Sequence, residues 1–192
     1  MNAIQIAMRR FVFALAAIAL AACGPNARAP TRADPELDAL FVQLEQAPDA
    51  EAAAAIEQQI WLRWSDSGSP TVNVLLERAA AAESGGDPEL AERFLDQASD
   101  LAPEYAEPWN RRANLAYRSE DFPGAIAAIQ ETLKREPRHF GALTGLGLIY
   151  EELGQHRAAL EAYRAALAIH PNYETAQQGV RRLEPRVDGR DA

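Results

Sequence analysis

Residues 145–171 read GLGLIYEELGQHRAALEAYRAALAIHP, and this stretch decides the fold. Its alanines, leucines and glutamates favour helix, yet Gly147 interrupts the first helical run, where a glycine costs about 1 kcal/mol relative to alanine. A bare backbone at Gly147 indicates that another segment approaches it closely. The stretch closes on Pro171, because proline has no N–H and clashes with the preceding helical turn.

The same pattern recurs twice upstream with a fixed spacing of 34 residues. Pro103, Pro137 and Pro171 are separated by that period. Small residues come into register with the prolines, namely Ala79, Ala113 and Gly147 on one side, and Ala91, Ala125 and Ala159 on the other. A constant period with aligned small residues is typical of a helical repeat array.

The repeats resemble the tetratricopeptide repeat (TPR) family. The last repeat carries the family's signature at Leu143, Leu146, Gly147, Tyr150, Gly154, Ala159, Leu160, Tyr163, Ala166, Leu167 and Pro171. The middle repeat departs from it at Arg112, where leucine is usual, and at Thr132, where alanine is usual. The resemblance implies three pairs of antiparallel helices, A and B, within 71–171, at about 72–105, 106–139 and 140–171. We therefore predict an all-α, TPR-type α-solenoid with terminal capping helices.

The segments that flank the repeats also have helical patterns. Residues 34–70 contain two apolar runs of helical spacing, each preceded by a capping aspartate, and are expected to form a helical hairpin. This hairpin is either a degenerate repeat or an N-terminal cap. Residues 172–183 predict a C-terminal capping helix with a polar outer face, which solenoids need for solubility. The tail, 184–192, is expected to be disordered.

The N-terminus has the pattern of an export signal. Two arginines, Arg9 and Arg10, precede the apolar run from Phe11 to Ala22, so 1–22 is expected to be a signal peptide. The run is short for a membrane span, which needs about 20 apolar residues. An uncleaved membrane anchor is the alternative.

The only cysteine, Cys23, follows Leu20-Ala21-Ala22 directly. This sequence resembles the lipobox of bacterial lipoproteins, which implies that Cys23 carries lipid and that 23–33 is a flexible tether. Gly24 in place of aspartate implies the outer membrane by the same resemblance. Ordinary cleavage that leaves a soluble periplasmic protein is the alternative.

Composition and charge exclude several functions. The net charge of −9 disfavours nucleic-acid binding, because an acidic surface repels phosphates. The three histidines, His139, His156 and His170, lack metal-ligand spacing and are expected to be solvated or half-packed. No catalytic constellation, metal site or cofactor site is predicted, so the protein is expected not to be an enzyme.

The resemblance implies that the A helices line a concave groove that binds a peptide or protein partner. The expected groove residues are Asn73, Leu76, Asn110, Arg111, Asn114, Tyr117, Arg118, Thr144, Leu148 and Glu151. Asparagine and arginine suit recognition of an extended backbone or a terminal carboxylate. Family members that clamp a carboxylate use several lysines and arginines across the repeats, and that full set is missing here.

These observations predict a lipid-anchored interaction scaffold in the bacterial cell envelope, held in the periplasm on the outer membrane. Two alternatives stay open. One is a periplasmic chaperone for secreted or cytochrome-type clients, and the other is an accessory regulator of a cell-envelope enzyme.

Overall fold

The computed structural model describes residues 34–188, and these residues form α-helices and no strands. The predicted signal peptide, Cys23 with its tether, and residues 189–192 lie outside the described part of the chain. The helices are α1 (Pro35–Glu45), α2 (Ala50–Ser65), α3 (Pro70–Ser84), α4 (Pro88–Leu101), α5 (Glu107–Arg118), α6 (Phe122–Arg135), α7 (Phe140–Glu152), α8 (His156–Ile169) and α9 (Glu174–Asp188). The all-α prediction is confirmed.

The repeats are the helix pairs α3–α4, α5–α6 and α7–α8, and each pair packs most closely within itself. Each B helix ends two residues before the periodic proline, at Leu101, Arg135 and Ile169. Aspartates start several helices, since the carboxylates of Asp87 and Asp121 accept the N–H groups of Leu90 (2.9 Å) and Gly124 (3.0 Å). These side chains satisfy amide donors that have no partner inside the helix.

The turn between the two helices of each repeat needs a left-handed backbone. Gly86, Glu120 and Gly154, which are 34 residues apart, have φ values of 78°, 59° and 69°. Glycine adopts this conformation freely, whereas a residue with a Cβ is strained there by about 1–2 kcal/mol. Glu120 is therefore the strained member of the three turns.

Glu120→Gly is expected to stabilise the protein by about 0.5–1 kcal/mol, because the relief of strain exceeds the added entropy of the unfolded chain. Urea unfolding followed by circular dichroism measures the change. Glu92→Gly is the matched control, since Glu92 is exposed inside α4, where glycine should destabilise by about 1 kcal/mol. Equal destabilisation by both substitutions would contradict this explanation.

The backbone at Gly147 lies directly against an aromatic ring of the next helix. A Cβ built on Gly147 would lie 2.6 Å from Cε1 of Tyr163, whose side chain is fully buried in α8. The opposite edge of the same ring lies against Gly179 of α9. The tyrosine ring therefore fills the space between two bare backbones, and the close helix contact predicted at Gly147 is present.

The α1–α2 hairpin packs against the third repeat instead of adding a unit before α3. Leu40, Phe41, Ile60 and Trp64 belong to one apolar cluster with Phe140 and residues of α8 and α9. Residues 34–70 thus form the two predicted helices, but at a different place. The aromatic side chains of α2 explain the placement, because the start of α7 offers them His139 and Phe140.

The last helix is longer than predicted. α9 runs from Glu174 to Asp188, so residues 184–188 are helical and not disordered. Leu183 is fully buried, and Val187 packs against the same apolar cluster. This burial extends the helix past Pro185, although a proline inside a helix removes a hydrogen bond.

Candidate partner-binding groove

The A helices α3, α5 and α7 leave an open cavity of about 440 Å³ on their shared side. We call this cavity the groove. It is lined by Trp61, Glu83, Glu107, Asn110, Arg111, Asn114, Gly141 and Tyr173. The groove thus combines residues from α2, from all three repeats and from the loop before α9.

Three of the predicted groove residues, Asn110, Arg111 and Asn114, line the groove. Asn114 is exposed, and its amide makes no hydrogen bond to another described residue. Asn110 is buried, and its Nδ2 donates to Glu107 Oε2 (3.2 Å). Arg111 donates from Nε to Glu107 Oε1 (2.8 Å) and from Nη1 to the carbonyl of Leu76 (3.2 Å). Asn114 is therefore the member of this trio that is open to a ligand.

Glu107 is a groove residue that sequence reasoning missed. Its side chain is buried, and desolvation raises its pKa, while Arg111 and Asn110 act in the opposite direction. In the sequence it is an acidic residue at the start of a helix, directly before Pro108. The contact with Arg111, one helical turn later, was the available signal, because i,i+4 pairs of this kind meet on one face.

The predicted groove residues of the first repeat have internal roles. Asn73 Oδ1 accepts from the N–H (3.0 Å) and the hydroxyl (2.6 Å) of Ser67, and its Nδ2 donates to Asp66 (3.0 Å). Leu76 is buried in the core between α3 and α4. Asn73 therefore holds the loop between α2 and α3, and neither side chain is offered to a partner.

Two predicted groove residues in the last turn of α5 also contact neighbouring helices. Arg118 Nη1 lies 2.6 Å from Glu83 Oε1 and forms an ion pair that joins α5 to α3. The Tyr117 ring packs on Phe122, with centroids 6.0 Å apart. Both residues are near the groove in sequence, but they connect neighbouring helices and do not line the cavity.

In the third repeat, none of the predicted groove residues lines the cavity. Thr144 is buried, and Leu148 packs against the apolar cluster. Glu151 accepts from Arg182 Nε (2.6 Å) and Nη2 (2.7 Å), and from Tyr163 Oη (3.1 Å). Arg182 lowers the pKa of Glu151, so this carboxylate is an anchor for α9.

A larger cavity of about 660 Å³ lies between the hairpin and the loops of the repeats. Its charged side chains are mostly paired. Arg63 binds Asp34 (2.7 Å), Arg135 binds Glu131 (2.8 Å), and Arg138 binds Glu136 (3.1 Å). The lining holds six carboxylates against two arginines, so the cavity is acidic and does not suit an anionic ligand.

The comparisons with known proteins agree with this architecture. The sequence model of the tetratricopeptide repeat family matches residues 110–174. A TPR repeat-containing protein of Rhizobium etli is 40% identical over 153 residues, which are 80% of this chain and 75% of that protein. The chain belongs to the tetratricopeptide repeat family.

Solved TPR structures have the same fold. The first TPR domain of Spaghetti (RPAP3), bound to an HSP90 peptide, has a TM-score of 0.58 and 19% identity, covering 62% of this chain and 95% of that one. The TPR domain of Arabidopsis OM64 has a TM-score of 0.56 and 23% identity, covering 60% of this chain and 96% of that domain. At these identities the likeness concerns the fold alone.

Electrostatics limit what this TPR groove can bind. Its two arginine neighbours, Arg111 and Arg118, already pair with Glu107 and Glu83. A terminal carboxylate would have to displace Glu107 from the partly buried Arg111, whereas Arg118 is 63% exposed and its pair with Glu83 is a weaker surface contact. The open amide of Asn114 instead suits a neutral polar group, and Trp61 and Tyr173 line the same groove as aromatic surface.

Two further findings concern the described residues. None of the helices between residues 34 and 188 is long and apolar enough to cross a membrane. Within the same range, no group of three or more His, Cys, Asp or Glu side chains is arranged to hold a metal ion.

Proposed function

We propose that this TPR protein is a non-enzymatic interaction scaffold that is anchored by lipid on Cys23 in the bacterial cell envelope. Its groove binds a peptide or protein segment. The observation that carries the proposal is the open cavity on the A helices of a TPR array, which the free amide of Asn114 lines. A solved relative of the same fold holds a peptide, which supports peptide binding here.

The chemistry of the groove does not favour a chain terminus. Asn114 can donate to an acceptor and accept from a donor on the bound segment. Tyr173 provides aromatic surface for one apolar side chain of the segment. Because Arg111 and Arg118 are neutralised, the segment is not selected by a terminal carboxylate.

The membrane location rests on the sequence Leu20-Ala21-Ala22-Cys23 after an apolar run. Lipid with two or more chains gives stable membrane attachment, whereas one chain gives weak, reversible binding. The groove would then work in the periplasm, on the outer membrane.

A non-enzymatic role is supported by the state of the histidines. With the α1–α2 hairpin docked, His139 and His170 are only 1% exposed and pack in the interior. Cys23 is assigned to lipid in this proposal. The partner would therefore perform any chemistry that the complex carries out.

Photo-crosslinking in cells tests the groove and the anchor together. A photoreactive amino acid is placed at Asn114 in the full chain, with Gln130, exposed on the B helix α6, as the matched control position. We expect an envelope protein to be captured from position 114 and not from position 130. Cys23→Ser should abolish lipid-label incorporation and move the protein out of the membrane fraction.

Each part of the proposal has its own contradicting outcome. The same captured proteins at positions 114 and 130 would exclude the groove as the binding site. Lipid label that persists in the Cys23→Ser variant would exclude the anchor at Cys23.

A further inference from the structure

The α1–α2 hairpin docks on the loops that open the A helices and α9. Tyr105, His139 and Tyr173 occupy equivalent positions in these loops, 34 residues apart. Trp64 meets the first two, since Tyr105 Oη donates to its carbonyl (2.7 Å) and its ring stacks on His139 with centroids 4.1 Å apart. The hairpin therefore contacts equivalent positions in successive repeats.

Polar contacts fix the hairpin at further points. Glu57 Oε2 of α2 lies 3.1 Å from His170 Nε2, and Asp38 of α1 lies 2.7 Å from Arg138. The Arg138 guanidinium also lies over the Phe41 ring, 4.3 Å from its centroid. Since these contacts come from both helices, the hairpin is held as a unit with one orientation.

Trp61 is the residue of the hairpin that lines the groove. A Cβ built on Gly141 would lie 2.7 Å from Trp61 Cη2, so the indole rests directly on the backbone of α7. The same side chain lines the groove beside Asn114 and Tyr173. The hairpin therefore occupies part of the surface that the proposed function assigns to a partner.

Two buried polar atoms at the contact between the hairpin and the array lack hydrogen bonds. Trp64 Nε1 and His139 Nε2 are buried at this contact, and neither has a hydrogen-bond partner among the described residues. A buried donor without an acceptor lowers the stability of the contact. The chain connects the hairpin to the array through residues 66–69, and the helix pairs α3–α4, α5–α6 and α7–α8 pack within themselves.

We propose that the α1–α2 hairpin is a tethered competitor for the groove, and that the partner displaces it with a helix of the same chemistry. That helix carries two aromatic residues at i and i+3, as Trp61 and Trp64 do, and a carboxylate one turn before the first, as Glu57 does. The aromatic residues fit against His139, Phe140 and Gly141, and the carboxylate faces His170. This inference rests on the proposed function of the groove.

A peptide of residues 34–66 is the probe, because it reproduces the docked hairpin without the array. The tether gives the internal hairpin an effective concentration in the millimolar range, so the wild-type chain should bind the labelled peptide weakly. Trp61→Ala/Trp64→Ala in the full chain removes the contacts of the internal competitor. We expect this variant to bind the peptide at least tenfold more tightly than wild type by fluorescence anisotropy.

Matched controls distinguish release of the hairpin from a general loss of stability of the protein. Leu62→Ala alters α2 at a side chain that is 64% exposed, and it should bind the peptide as wild type does. A peptide that carries the two alanines itself should not bind the release variant. Asp38→Asn/Glu57→Gln removes two polar anchors without loss of apolar volume, and a two- to fivefold gain in peptide affinity is expected even if the double alanine variant does not fold.

The proposal is overturned if the release variants bind the wild-type peptide no better than the wild-type chain does. It is also overturned if analytical ultracentrifugation shows a wild-type dimer that the Trp61→Ala/Trp64→Ala substitutions dissociate, because the hairpin would then come from a second copy. The peptide assay contains no envelope partner. Its failure would leave the crosslinking result at Asn114 intact, and a failed crosslink would leave the peptide result intact.

Discussion

Gly147→Ala is expected to destabilise the protein by about 2 kcal/mol, although alanine is the better helix former. The new methyl group would meet Tyr163 Cε1 at 2.6 Å, and the ring cannot retreat because Gly179 contacts its other edge. The hydroxyl of Tyr163 is also held by Glu151 Oε2 (3.1 Å). The helices α7 and α8 must therefore separate, and this overpacking exceeds the gain in helix propensity of about 1 kcal/mol.

Gly145→Ala is the matched control in the same helix. Its nearest neighbour to a built Cβ is Ile129 Cδ1 at 3.8 Å, an ordinary contact distance. The substitution should therefore stabilise the protein by about 1 kcal/mol through helix propensity alone. Urea unfolding of both variants at one pH measures the pair, and a change of the same sign in the two would refute the packing explanation.

The repeat array could be predicted from sequence because its constraints are local or periodic. Gly147 indicates a close helix contact, and Pro171 indicates the end of a helix. The 34-residue period places the same two features in the other repeats. Capping aspartates such as Asp87 and Asp121 act within one turn of their own helix. Each of these signals depends only on nearby residues, so no tertiary arrangement had to be known.

The position of the hairpin could not be predicted in the same way. Its contacts join residues far apart in sequence, such as Asp38 with Arg138 and Glu57 with His170. Trp61 and Trp64 were visible as apolar positions of a helix, but the period of one helix does not identify the surface that it covers. His139 and His170, expected to be solvated or half-packed, are buried because this hairpin covers their loops.

The groove was predicted only in part for a related reason. An exposed position on an A helix can face a ligand or a neighbouring helix, and helical spacing alone does not distinguish the two. Arg118 and Glu151 turn to Glu83 and Arg182, and Leu76 and Thr144 are buried. Asn114 stays open because no described side chain reaches its amide.

His139 makes the stability of the protein sensitive to mild acid. Its Nδ1 accepts the N–H of Ala142 (3.0 Å) at the start of α7, while Trp64 covers its ring. Complete burial lowers the pKa of His139 from 6.5 to about 3, because the charged form is desolvated. The unfolded chain therefore takes up a proton before the folded one does as the pH falls.

The direction of the effect follows from this depressed pKa. The contribution of His139 to stability is complete above about pH 7 and is lost as the pH falls through 6.5 towards 3. The loss approaches 1.4 kcal/mol per pH unit well below pH 6.5 and amounts to about 1.6 kcal/mol between pH 6.5 and 5. Carboxylates with lowered pKa values, such as Glu131 and Glu151, act mainly below their ordinary pKa of 4.5, outside this window.

His139→Asn removes the titrating group but keeps an acceptor for the start of α7, since asparagine is a good N-cap residue. We expect the variant to be less stable than wild type at pH 7.5, because it loses the contact with Trp64, and to lose about 1.6 kcal/mol less between pH 6.5 and 5. Urea unfolding at several pH values measures both slopes. The other groups are shared by the two proteins, so the difference between the slopes isolates His139. Parallel slopes, or a His139 proton resonance that titrates above pH 5 in the folded protein, would show that the imidazole is open to solvent and that Trp64 does not cover it.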